Sequence, residues 1–178
     1  MSKERLVKPD CFEISTKATK HHGISHSKAA NKGLPLSDVL DEFMRDAIDV
    51  CEKGGRVVAH GLEFDGPIIQ NELKRCNKQD LHKRWRAIWC QGCCTLDPWT
   101  SNWARPCFGL ETKGGGASKL FVSLRDSLLM LAPRRKELLA KAHTANADAE
   151  MCRLVFIAYF NLVRKAERMT TRAAENGS

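Results

Sequence analysis

The sequence predicts an α/β fold, and three consecutive stretches predict it. Behind Ser37, a plausible N-cap, Val39, Leu40, Phe43, Met44, Ala47, Ile48 and Cys51 recur at helical spacing until Gly54-Gly55 stops the run. Arg56-Val57-Val58-Ala59-His60 is a short β-branched run directly after that breaker and reads as a buried strand feeding the loop Gly61 to Asp65. Pro67 suits the first turn of a second helix, which carries Ile68, Ile69, Glu72 and Leu73 to about Cys76. Helix, strand, loop and helix in that order imply a sheet with helices packed on it.

The remaining elements follow in order. Residues 1–35 hold Pro9, Pro35, Gly23 and Gly33 with no sustained period, and predict an irregular segment with at most one short strand or helical turn. Ala87 to Leu96 reads as another strand, interrupted by Gly92, and residues 97–118, with Gly114-Gly115-Gly116, read as a long loop. Leu120 to Leu131 predicts a third helix, ended by Pro133. Ala145 to about Arg168 is the strongest helical pattern of all, through Ala149, Cys152, Val155, Phe156, Tyr159, Leu162 and Val163. Residues 1–170 are expected to form a single domain and residues 171–178 a flexible tail.

Composition narrows the class. The 178 residues are 43% hydrophobic and 28% charged, an ordinary globular balance that excludes a disordered or collagen-like chain. The longest apolar run, Leu154 to Phe160, is far short of the roughly 18 residues that span a bilayer, so no membrane helix is expected. MSKERLVKPD has no apolar signal region, and the eight cysteines then predict reduced thiols in an intracellular protein, cytoplasmic or nuclear. The net charge of +8 leans towards a polyanion. Residues 74–86 hold six Lys or Arg against Asp80, and residues 133–141 hold four against Glu137, so these two segments carry the whole excess.

Two groups of residues could carry chemistry. Val57 to Asp65 places a carboxylate just past a buried strand, where ligand sites of α/β sheets collect. Taken alone, Asp65 reads first as a cap accepting backbone N–H groups of the Pro67 helix. His143-Thr144-Ala145-Asn146-Ala147-Asp148 fits the pattern H-x-A-x-x-D, with His143 on a loop and Asp148 in the first turn of the last helix. Alone, an exposed histidine beside an acidic residue favoured by the helix dipole accounts for it equally well.

Together, in this order and about 80 residues apart, the two groups resemble the DnaQ-like, DEDDh-type 3′-5′ exonucleases of the ribonuclease H-like superfamily. Val57 to Leu73 is similar to the family's second motif and His143 to Asp148 to its third. Thr95-Leu96-Asp97, His22-Gly23-Ile24-Ser25 and Gly33-Leu34-Pro35-Leu36 add weaker likeness, so that residues 8–165 are covered. The resemblance implies a ribonuclease H-like mixed sheet flanked by helices, and hydrolysis of phosphodiester bonds with two Mg²⁺ or Mn²⁺ ions. His143 would be the general base, Asp65 and Asp148 metal carboxylates, His60 and Phe64 contacts to nucleic acid, with Phe64 packed beneath the site. Single-stranded 3′ ends are the implied partner. The family's first motif, D-x-E, has no counterpart: Asp10 and Glu13 are wrongly spaced, so the fold is expected to lack its first strand and the metal site two of its four carboxylates. A catalytically inactive nucleic-acid-binding or protein-interaction module is the alternative.

Arg134-Arg135-Lys136, just ahead of His143, then read as a phosphate-contacting rim, with residues 74–86 as its second part. Trp85, Trp89, Trp99 and Trp103 suit packing more than base stacking. Cys90-Gln91-Gly92-Cys93-Cys94 holds a C-x-x-C half-site, but a strong zinc signal needs a second pair; only Cys107 and scattered histidines such as His82 are at hand, so no zinc is expected.

Overall fold

A computed structural model of the chain describes residues 3–96 and 122–176. It divides into two compact units, Met1–Cys94 with His143–Asn146, and Thr95–Ala142 with Ala147–Ser178.

The first unit begins with two short helices, α1 (Thr16–His22) and α2 (His26–Lys32). Each is set by local capping rather than by an apolar stripe: the hydroxyl of Ser15 accepts from the Ala18 N–H at 3.2 Å, and that of Ser25 from the Lys28 N–H at 3.1 Å. Gly23, at φ 74°, closes α1 in the left-handed conformation. The long helix α3 (Leu36–Glu52) buries Leu40, Met44 and Ala47 at spacings of four and three. It starts behind Pro35 without a side-chain cap, so Ser37 lies inside it rather than capping it.

Strand β1 (Val58–Ala59) leads into α4 (Leu62–Arg75), then α5 (Gln79–Cys90) and strand β2 (Cys93–Cys94). The strands pair in parallel, Val58 with Cys93 and Ala59 with Cys94. The core gathers Leu40, Met44, Leu73 and Trp85, with Phe43, Ile69, Leu81, Ile88 and Trp89 packed against them. Phe43 meets Trp85 edge-on, ring centroids 5.3 Å apart, and the Trp85 indole N–H donates to the Gly66 carbonyl at 2.9 Å.

The expected ribonuclease H-like mixed sheet is overturned: the chain is mostly helical, and the described residues form only this two-stranded parallel sheet. Two physical reasons account for the difference. Residues 57–60 are half-buried rather than enclosed on both faces as a central parallel strand would be, and left-handed Gly54 and Gly61 bracket them closely. The stretch read as a second strand is helical as far as Cys90, because Leu81, Trp85, Ile88 and Trp89 sit at i, i+4, i+7 and i+8 and face the core together.

The second unit is built on α6 (Leu124–Leu131), a 3₁₀ segment (Pro133–Lys141) and α7 (Ala145–Asn176). Ser123 caps α6, its hydroxyl accepting from the Asp126 N–H at 3.1 Å. Leu128, Met151 and Val155 form the buried centre, lined by Leu124, Leu131, Leu138, Leu139 and Leu154. Ser127 is fully buried, and its hydroxyl has no hydrogen-bond partner among the described residues. An unpaired buried hydroxyl costs about 1–3 kcal/mol, so Ser127→Ala is expected to raise the unfolding midpoint. A fall in thermal stability on that change would show that the hydroxyl is satisfied in solution.

No helix among the described residues is long and apolar enough to cross a membrane. The expected loop at residues 97–118, with Trp99, Trp103, Asp97 and Cys107, lies outside the described residues.

Candidate functional site

The junction of β1 and α4 brings two of the expected site residues together. Ala59 ends the strand, His60 follows half-buried, and Gly61 turns the chain at φ 101°, a left-handed angle that a side chain would strain. Helix α4 starts at once, at Leu62, five residues ahead of Pro67. Asp65 therefore does not cap the helix. It sits within the first turn, its own N–H donating to the Gly61 carbonyl at 3.3 Å, and it adds negative charge beside Glu63 where the helix dipole favours it.

Next to Asp65, Gly66 is buried against the Trp89 indole so closely that a Cβ there would overlap the ring. Asp65 is exposed by surface area, yet the protein crowding its carboxyl group strips enough solvent to push its pKa up, with the nearby His60 pulling it down. A raised native pKa favours the protonated form on folding. The stabilisation is complete below the ordinary aspartate range, under about pH 4, and is lost as pH rises through the raised value. Asp65→Asn should thus melt slightly above the unmodified chain at pH 7, with the gap closing at pH 3.5; equal gaps at both pH values would remove the desolvation account. Phe64 does not pack beneath this junction: its ring is 78% exposed.

His143 lies in the turn between the 3₁₀ segment and α7, exposed, with φ at 70°. Left-handed backbone at a non-glycine residue is uncommon and costs of the order of 1–3 kcal/mol. Its ring lies against that of His21 on α1, centroids 4.3 Å apart and planes tilted by 44°. Nothing local in the sequence marks His21 as its neighbour, because the two are far apart along the chain. Asp148 is half-buried in the first turn of α7. Asp65 and His143 belong to the first unit and Asp148 to the second.

The expected phosphate rim is partly neutralised from within. Arg135 pairs with Glu137 at 2.6 Å and approaches Glu150 at 3.8 Å, whereas Arg134, Lys136 and Lys141 of that segment are exposed. Along residues 74–86, Arg75 is held by Asp10 and Glu72, both at 2.6 Å, Lys78 by Asp41 at 2.7 Å and Arg84 by Glu52 at 3.2 Å. Arg75 pulls the Asp10 carboxyl below its ordinary range by hydrogen bonding.

Among the described residues no three of His, Cys, Asp and Glu gather where they could hold a metal ion. A divalent cation such as Mg²⁺ needs several oxygen ligands at once, so these residues do not fit the implied two-metal centre as they stand. Cys90, Cys93 and Cys94 are free thiols. Comparison with known proteins finds no matching family model, no matching curated protein and no matching solved structure.

Proposed function

We propose that the chain acts on nucleic acid as a 3′-5′ exonuclease domain of the DnaQ-like, DEDDh type, engaging single-stranded ends. The observation that carries this reading is the motif pair, His60 to Asp65 behind a strand and H-x-A-x-x-D at His143 to Asp148, in the family's order and spacing. It rests on those residues and not on the fold. The end of a parallel strand running into a helix, where His60 and Asp65 lie, is a common position for phosphate chemistry.

In this reading His143 takes a proton from the attacking water, the task for which an imidazole is best suited near neutral pH. Asp65 and Asp148 are the carboxylates that would face Mg²⁺ or Mn²⁺, and no step is assigned through the ions because the described residues do not assemble their ligand set. That same observation favours a second reading, a nucleic-acid-binding module without catalysis.

Degradation of a 5′-labelled single strand in the presence of Mg²⁺ or Mn²⁺ decides between them. Shortening from the 3′ end, abolished by Asp148→Asn, supports the nuclease. Binding in EDTA with no cleavage in either metal leaves the binding module, and neither binding nor cleavage sinks both.

A further inference from the structure

The C-terminal half of α7 carries a cationic stripe that none of the motifs above includes. From Phe160 onward nearly every residue with a described side chain is exposed, so this part of the helix stands uncovered. Arg164, Arg168 and Arg172 recur every four residues, and Lys165 lies beside them. On a regular helix the four fall within an arc of about 100° and extend over about 12 Å. Among the described side chains none of the four has an ion-pair partner, in contrast to Arg135, Arg75, Lys78 and Arg84. Glu167 and Glu175 are the acidic residues of that stretch: on a regular helix Glu167 lies about 60° from Arg164 on the side opposite Arg168, and Glu175 follows the last arginine of the stripe by three residues, within its arc.

An aromatic side chain marks the start of the stripe. Phe160 is 49% exposed, the Arg164 guanidinium lies 5.7 Å over its ring, and Phe156 stacks behind it at 6.2 Å. Cations in a line beside an exposed ring are what a single strand meets on proteins that hold it by backbone charge and base stacking. A lipid surface would instead need a continuous bulky apolar face opposite the cations. Here that face offers Leu162, Val163 and Met169 around the small Ala166, and Val163 is already half-buried, so no continuous bulky face is open.

We propose that Arg164, Lys165, Arg168 and Arg172, with Phe160 at their head, form a track for the phosphate backbone of single-stranded nucleic acid. This rests on the reading of the chain as a nucleic-acid protein, but it is a binding surface of its own. Along α7 it begins about 24 Å from Asp148 and roughly 160° around the helix, so it holds the strand at a distance rather than lining the reacting bond.

The test is binding of the full chain to a labelled 20-nucleotide oligothymidine by fluorescence anisotropy in EDTA, across a KCl series. The quadruple variant R164Q/K165Q/R168Q/R172Q keeps good helix formers at each position, and circular dichroism checks that α7 persists. Each phosphate contact to a single strand contributes about 0.7 to the slope of log affinity against log salt, so the variant should lose about three from that slope and at least about tenfold in affinity. R164K/R168K/R172K should retain most of both. Unchanged slope and affinity in the quadruple variant overturns the track. So does loss of binding only to phosphatidylserine vesicles, or no binding by the unmodified chain. Metal-dependent cleavage with an unchanged slope removes the track alone, whereas a lost slope without cleavage removes the nuclease reading and leaves the track.

Discussion

Trp85→Ala is expected to lower the unfolding free energy of the first unit by about 3–5 kcal/mol, a large part of what a small domain has. Trp85 is 1% exposed and packs with Leu40, Met44 and Leu73 at the centre of that unit. Truncation opens a cavity and also strips the Gly66 carbonyl of its indole donor. Gly66 follows Asp65 directly, so the loss is expected to reach the first turn of α4. Amide exchange over residues 62–66 should therefore accelerate more than over α1. Urea unfolding followed by far-UV circular dichroism measures the first effect, and a change below about 1 kcal/mol would mean that Trp85 is not the centre of the core. Trp85→Phe, which keeps most of the volume and loses the donor, should cost about 1–2 kcal/mol and separates packing from the hydrogen bond.

That core was only partly visible in the sequence. The helix α3 could be read because Leu40, Met44 and Ala47 repeat with its period and two glycines end it. Trp85 and Trp89 are legible as packing residues, but residues 87–90 read from the sequence as part of a strand. A short apolar stretch does not declare its period, and the partners that fix it, Leu81 and the residues of α3, lie outside that stretch. Helices α1 and α2 escaped for a different reason: serine caps set them, and α1 buries nothing, so no apolar stripe announces it. The position of Asp65 within the first turn of α4 depended on Gly61, whose left-handed angle starts that helix ahead of its proline. Charge was the least legible. Counting cations located two basic segments, but pairing decides which cations stay available, and pairing across Asp10, Asp41, Glu52 and Glu150 cannot be read from a run of Lys and Arg. The spacing of four along the α7 arginines is present in the sequence, but their exposure is a property of the packing and cannot be read from that spacing.

Replacing His143 separates its chemistry from its backbone. At φ 70° the residue pays a conformational cost that glycine does not, so His143→Gly should be more stable than His143→Ala by about 1 kcal/mol, although both remove the ring that lies against His21. If the imidazole is the base of a nuclease, both substitutions should reduce the cleavage rate by about 10²–10⁴-fold, with strand binding in EDTA unchanged. The combination is diagnostic: a variant that folds better than its alanine counterpart yet is equally inactive marks a residue held in a strained position for its side chain. A residue kept only for the turn would give the opposite pattern, with His143→Gly cleaving and binding as the unmodified chain does. Thermal melts of the two variants, set beside single-turnover cleavage of a labelled strand, distinguish these outcomes, and equal stability of the glycine and alanine forms would show that the left-handed turn is not populated in solution.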